Sequence, residues 1–501
     1  MKIPSDSVLR EGFYWELIQK CLVSRNDRKS MYDRLRSYAL FGTDTGQEPA
    51  AFNKIDSAID TLASFLFAAD TTRFSIKLGA GVDKKSEMPK IPPLVERLTD
   101  RWYDSNCDIV FLRAIKASLT YASSHIKLTQ RSKETFPYLV HPSDFGVLRE
   151  DVTMLDRQEA MVHVFMSTKD QLRRDLERHP NKDVILMRLS AMRRGSEQGE
   201  LPAGVARIIT SSFYPTSQGN VNNVLSGSSD WYRPTTSEEL VEMHELWLWD
   251  DDCMEGKGGY RVVTMADPGI VIYDRSAGES MFLVGDHPFI QVCPNPAEDY
   301  FWGISEVAKL TRLQDKREHH MAQIDDLVDR AVSPPKSISG QWGAVDEKDF
   351  AMRRINAVIS SNDPMAKINE HKPQLPPDLW QCVRQIDAEF DEVTALSNVL
   401  KGRGEAGVRS KGQTDALVRT GSSRTKQRAL IIEEPLERIA TLYVKLDQRH
   451  NKDSLETDEA QPRTFIAEQF TKNFTVKVDA HSSSPIFVED QKNDAAFMLQ
   501  N

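Results

Sequence analysis

No stretch of this sequence stays apolar long enough to cross a membrane, and its first twenty residues, MKIPSDSVLREGFYWELIQK, are charged where a signal peptide needs an apolar core. A soluble protein that is not secreted is expected. Cysteine is scarce. Cys21, Cys107, Cys253, Cys293 and Cys382 are odd in number, far apart and never in a C-x-x-C pair, so neither a disulfide framework nor a zinc site is indicated, and a reducing compartment fits. An excess of positive charge is missing too. Lys and Arg together number 64 and Asp and Glu 74, a net charge of -10, which argues against a protein that clamps DNA over its whole surface but leaves local basic patches open.

Catalytic motifs are equally absent. His244-Glu245 begins like a zinc-protease H-E-x-x-H, but Leu-Trp-Leu-Trp follows in a strand pattern and the second histidine is missing. Asp250, Asp251 and Asp252 lack the D-x-D-x-D-G spacing of a calcium loop and read as a turn. His319 and His320 are adjacent, about 100° apart on a helix, which suits a solvated face better than one metal. Asp387 and Asp391 share a helix face at i,i+4, but no second acidic motif accompanies them as Mg²⁺ binding would require. No G-x-S-x-G elbow occurs. No cofactor, metal or enzymatic activity is expected.

What is present is length and a definite order of parts. At 501 residues the chain exceeds one ordinary core, and 40% hydrophobic with 28% charged residues describes a folded protein. Helical periodicity marks the first part, most clearly in NKIDSAIDTLASFLF, where Ile55, Ile59, Leu62 and Leu66 fall on one face, and again as a helical pair over 93–122. From about Ser124 strand-like pieces follow: HIKLTQ, YLVHPSDFGVLRE, EAMVHVFMST, VEMHELWLWD, YRVVTM and GIVIYD, with a helical insert near 168–196 and a Ser, Asn and Gly-rich loop after it.

A long helix is then expected from Ile304 to Val332, spanning about 42 Å. Its polar waist, QDKREHHMAQ, suits packing against copies of itself or lining water. Proline pairs bound a small mixed segment with strand-like INAVIS and AKINE. Leu379, Val383, Ile386, Phe390, Val393 and Leu400 then mark a second helix running into the glycines of LKGRGEAGVRSKGQTDALVRT. The string Gly402-Arg-Gly404-Glu-Ala-Gly407 has G-x-G-x-x-G spacing, but a phosphate site needs a strand before it and a helix N-terminus after it, and here a helix precedes. Walker A fails as well, since Lys411-Gly412 stand in reverse order. A third helix continues to His450, basic and small in its first half (Arg419, Gly421, Arg424, Lys426, Arg428), apolar in its second, with Pro435 expected to kink it. FTVKVDA is a last strand and QKNDAAFMLQN a last helix-like piece.

That order resembles the portal proteins, or head-to-tail connectors, of tailed double-stranded DNA bacteriophages. FNKIDSAIDTLASFLF is similar to the N-terminal helix of that family, VHPSDFGVLRED to its wing strand, and HPFIQVCPNPAEDYFWGISEVAKLTRLQDKREHHMAQI to its lead into the first stem helix. The resemblance covers about residues 10–490. It implies an α+β portal fold, divided into an N-terminal helical part of the wing (1–123), a β-rich wing region with a helical insert (124–302), stem helix 1 (303–332), a clip (333–376), stem helix 2 (377–400), a tunnel loop (401–411), a long kinked wing helix (412–450) and a C-terminal wing or crown remnant (451–501). It also implies a dodecameric ring at one capsid vertex, through which DNA is packaged and ejected, with assembly in the host cytoplasm and no membrane.

By the same resemblance the partners are double-stranded DNA held transiently, the terminase large subunit, the major capsid and scaffolding proteins, and a tail adaptor. The tunnel loop would face DNA through Lys401, Arg403, Arg409 and Lys411. Acidic helix residues, Asp387 and Asp391 with Glu389 and Glu392, would line the channel and keep it slippery, because each neutralised phosphate adds affinity. Two other readings are a nucleotide-binding enzyme using the Gly402–Gly407 loop and a helical scaffold protein. Purified protein is expected to show no ATP hydrolysis, since no phosphate-binding lysine motif or acidic Mg²⁺ constellation is present. Robust hydrolysis abolished by Lys411→Ala would overturn this.

Overall fold

The computed structural model describes residues 3–4, 6–44, 50, 52–68, 72–131, 134–177, 182–187, 240–252, 258–266, 270–276, 282–283, 285–332, 336–339, 365, 367–370, 376–395, 423–458 and 462–478. They form two compact units, one of 1–311 with 394–501 and one of 312–393. Helices and strands are both abundant, as an α+β chain requires.

The first unit opens with three helices, α1 (Ser7–Cys21), α2 (Arg25–Phe41) and α3 (Lys54–Leu66). Asn53 caps α3, its side-chain oxygen accepting from the amides of Ile55 at 3.1 Å and Asp56 at 3.3 Å. Ile55, Ile59, Leu62 and Leu66 are all buried, as their spacing predicts. A short strand, β1 (Phe74–Leu78), leads to the helical pair α4 (Ile91–Asp104) and α5 (Cys107–Tyr121). Then come β2 (Ser124–Arg131), β3 (Glu134–Val140), β4 (Phe145–Val147) and β5 (Ala160–Thr168), a helix α6 (Lys169–Asp175), β6 (Leu240–Asp250), β7 (Gly259–Ala266), β8 (Ile270–Ser276) and β9 (Phe289–Val292).

Strands β4 to β8 form an antiparallel meander in chain order, and β3-β2-β9 make a second antiparallel sheet. Register places Val162 opposite Leu246 and Leu246 opposite Val263, so alternate apolar residues of three strands form a row on one face. Helix α1 covers that row, packing Tyr14, Leu17, Ile18 and Cys21 against Ala160, Val162, Val164, Leu246, Leu248, Val263 and Met265. The approach is close. A Cβ on Gly146 of β4 would lie 2.5 Å from the Cys21 carbonyl oxygen, so only glycine fits there.

The longest helix of this unit, α9 (Ser423–His450), runs continuously through Pro435. It packs against α3, α4, β9 and the strand β14 (Phe474–Val478), burying Ile432, Leu436, Ile439, Leu442, Tyr443 and Leu446. β14 pairs with β1, Phe74 opposite Val478, and its Val476 amide donates to Thr441 Oγ1 of α9 at 3.2 Å. A small hairpin of β12 (Ser454–Glu456) and β13 (Thr464–Ile466) lies between α9 and β14 in the chain.

Helix α7 (Glu306–Val332) begins in the first unit and supplies, from Arg312 on, the first helix of the second. The second unit otherwise contains a two-stranded antiparallel ribbon, β10 (Lys336–Ser339) with β11 (Lys367–Glu370), and α8 (Pro377–Thr394) up to Val393. The strand expected at 355–360, most of the insert near 168–196 and the last helix-like piece lie outside the described residues. One boundary differs from the reading of the sequence. Helix α8 stops at Thr394 rather than running to 400, because Ala395 adopts φ 59°, the left-handed conformation that ends helices.

Among the described residues of the first unit five histidines are buried, His125, His141, His163, His244 and His287. His125 stacks on Phe145 with ring centroids 4.1 Å apart, and neither of its ring nitrogens has a hydrogen-bond partner. Burial, reinforced by Arg28, pushes its pKa down to about 3; burial does the same to His141, helped by Arg36, and to His163, helped by Lys127. These groups are neutral in the folded chain and titrate near 6.5 once unfolded. Their contribution is therefore present above pH 6.5 and is lost as pH falls from there toward 3. Asp144, pushed up to about 7 by burial, acts in the opposite sense over much of the same window. Unfolding near pH 5 should thus take up protons on these histidines, read as the slope of stability against pH in denaturant titrations. A flat profile between pH 6.5 and 4 would show that these histidines are not held neutral.

Candidate functional site

In the second unit an ion pair joins two helices. Val383, Ile386 and Phe390 form the buried stripe of α8, and Gln314 and Ile324 are buried on α7. Arg317 lies between those two α7 positions, and its Nε donates to Asp387 Oδ1 at 3.2 Å while its Nη1 is 4.0 Å from Glu318. Asp387 is therefore half-buried and ion-paired across the two helices, instead of standing alone on an exposed face. Asp391, one turn on, is half-buried on the same helix. Gln385 donates to Glu389 at 3.3 Å.

The charges of these helices are segregated. Helix α7 carries Lys309, Arg312, Lys316 and Arg317 in its first half, against Glu306 and Asp315. It carries Glu318, Asp325, Asp326 and Asp329 further on, before Arg330. Helix α8 ends in Asp387, Glu389, Asp391 and Glu392, with Arg384 its single base. His319 and His320 share one partner, Gln323, at 3.1 and 3.3 Å. Among the described residues no group of His, Cys, Asp or Glu is placed to hold a metal ion.

The start of α7, in the first unit, is built from the string FWGISE. Phe301 and Trp302 are buried anchors, with the Arg28 guanidinium 3.7 Å above the Trp302 ring and the indole N-H donating to Glu150 at 2.8 Å. Gly303 turns the chain at φ +74°, where a Cβ would meet Cys293 Sγ at 2.5 Å. Ser305 caps α7 by accepting from the Ala308 amide at 3.1 Å, and its hydroxyl donates to the Thr120 carbonyl at 2.6 Å. Glu306 follows, fully buried in the first helical turn. Arg428 Nη2 of α9 reaches both its oxygens, at 3.1 and 3.2 Å, and Lys309 Nζ and Asn295 Nδ2 reach it at 2.9 and 3.0 Å.

Of the residues singled out from sequence, Lys401, Arg403, Arg409 and Lys411, with the Gly402–Gly407 string, lie outside the described residues. Asp387 and Asp391 sit on one helix as expected. His244 and Glu245 belong to β6, where Glu245 pairs with Lys127 at 2.6 Å, and Asp250 bonds the Asp252 amide in a turn and faces Arg261. The Glu306–Arg428 pair escaped the sequence reading. Its members are 122 positions apart and no spacing rule links them.

The sequence profile of the family described as "Phage SU10 portal protein" matches residues 87–458, from just before α4 to just past β12. No curated protein matches the chain. Among the described residues no helix is long and apolar enough to cross a membrane.

Arg428→Met should destabilise the first unit by about 3–5 kcal/mol, because it leaves a buried carboxylate answered only by Lys309 and Asn295. Adding Glu306→Gln should recover much of that loss, since the charge itself is then gone. Thermal or denaturant unfolding measures both, and equal stability of the Arg428→Met variant and the natural protein would show that the pair carries no net interaction.

Proposed function

We propose, because this chain belongs to the phage SU10 portal protein family, that it forms the ring at a unique capsid vertex through which viral DNA is packaged and ejected. The family is structural rather than enzymatic, and membership carries with it an oligomeric ring associated with a phage capsid. The observation that carries the proposal is the extent of the match. It is unbroken across α7, β10–β11, α8 and α9, the parts whose order the resemblance interprets as stem, clip, stem and wing helix.

On this reading the ring has twelve copies, the segment 333–376 docks the terminase motor and later the tail adaptor, and the first unit sits against the capsid shell. The loop 401–411 touches DNA phosphates through Lys401, Arg403, Arg409 and Lys411. Sliding DNA needs weak contacts, since each phosphate neutralised by the protein steepens the salt dependence of binding by about 0.9 log units. The acidic end of α8 supports this, because Glu389, Asp391 and Glu392 repel a polyanion while a few loop bases touch it.

Negative-stain images of the purified protein should show annuli with a central hole; a monomer at every concentration and salt would overturn the reading. Replacing Lys401, Arg403, Arg409 and Lys411 by Ala should leave the annulus intact and change the DNA retained in filled heads. Arg173→Ala with Arg174→Ala on exposed α6 should not. Charges further from the phosphates than about 8 Å are screened. Equal packaging and retention by both variants would show that the loop does not face DNA at a constriction.

A further inference from the structure

The corner between α5 and β2 holds a backbone conformation that a residue with a side chain rarely takes. Ala122, buried there, has φ 80° and ψ −42°. Among the described residues two other non-glycine positions have positive φ, Asn106 and Ala395, and Asn106, with ψ 35°, sits in the ordinary left-handed well. Ala122 does not. Its ψ has the opposite sign, and the two angles fall near the γ-turn of positive φ, a strained conformation because Cβ crowds the neighbouring carbonyl oxygen. Such strain persists only where the surroundings over-determine it.

The surroundings hold the corner from two sides. On one, Ser124 Oγ donates to the Ala114 carbonyl at 2.7 Å and Ser124 pairs with Val292 of β9, so β2 is fixed from its first residue. On the other lies the lead into α7. A Cβ on Gly303 would be 3.6 Å from the Ala122 carbonyl oxygen, and Ser305 Oγ donates to the Thr120 carbonyl at 2.6 Å while accepting from the Ala308 amide at 3.1 Å. The residue that caps α7 therefore grips the chain two positions before the strained one. Ser123, directly after Ala122, is fully buried and its hydroxyl has no hydrogen-bond partner among the described residues, so it lends the corner no support.

We propose that the Ala122 corner is a loaded joint: the cap of α7 keeps it strained, and the strain in return works to free the start of α7. The Glu306–Arg428 pair holds the helix against that push. Letting go of Thr120 relieves Ala122, so the first turn of α7 opens at lower cost than its own bonds would require. A single chain carries this joint, whether or not it assembles.

A double-mutant cycle between Ala122→Gly and Ser305→Ala, read by denaturant unfolding of the full chain, measures the coupling. Glycine removes the strain. Ser305→Ala costs stability in either background, but with Ala122 present the freed corner relaxes and returns part of the loss. Ser305→Ala should therefore raise the unfolding equilibrium constant about threefold more in the Ala122→Gly background than it does alone. Equal effects would mean independent roles, and a smaller effect would mean that glycine merely loosens the cap; either result overturns the proposal. Hydrogen exchange of Ala122→Gly alone gives a second measure. The Ala308 amide should exchange about threefold more slowly than in the natural protein, because opening the first turn no longer relieves anything. Exchange at the same rate or faster would show that no strain is stored against α7.

Discussion

A carboxylate with no solvent contact must be answered by groups within hydrogen-bond reach, and Glu306 imposes that demand at the first turn of α7. Three partners meet it: Arg428 on α9, Lys309 one turn along, and Asn295 in the segment before the helix. The unsatisfied amides of a helix N-terminus favour negative charge in the first turn as well. Because Arg428 is the fixed partner, the start of α7 can lie only where α9 allows it. Helix α9 is in turn held by α3, α4, β9 and β14, so the start of α7 is fixed by a helix packed into the core of the first unit. Gly303, Ser305 and Trp302 serve the same end, turning, capping and anchoring the chain within five residues of the ion pair.

Elements whose register depends on local pattern were legible in the sequence. Helix α3 announced itself through four apolar residues at steps of three and four, and β5, β6 and β7 through short β-branched and aromatic runs. The end of α8 was not legible. Val393 and Leu400 continue the helical period, yet Ala395 turns left-handed where no glycine or asparagine gives warning. Pairings across the chain were also hidden. β1 and β14 meet from opposite ends of the molecule, and Arg428 appeared as one base among several in a basic stretch. Burial of a histidine such as His125 carries no sequence signature at all, since its ring is held by Phe145 and Phe301 and not by a polar partner.

Asp387 shows how structure alters a correct placement. The sequence puts it on an acidic helix face, and the structure adds that Arg317 neutralises it from α7. The acidity expected of this helix therefore falls mainly to Glu389, Asp391 and Glu392. An ion pair of this exposure is worth only about 0.2–1 kcal/mol, so its value lies in choosing which faces of the two helices meet more than in strength. With Arg317 committed inward, Arg312 and Lys316 remain on the reverse of α7 and the other carboxylates toward the end of α8. The pattern of base and acid along the two helices thus sets an inner contact, where Arg317 meets Asp387, apart from outer faces of mixed sign, with Arg312, Asp315 and Lys316 on α7 and Arg384 and Glu392 on α8.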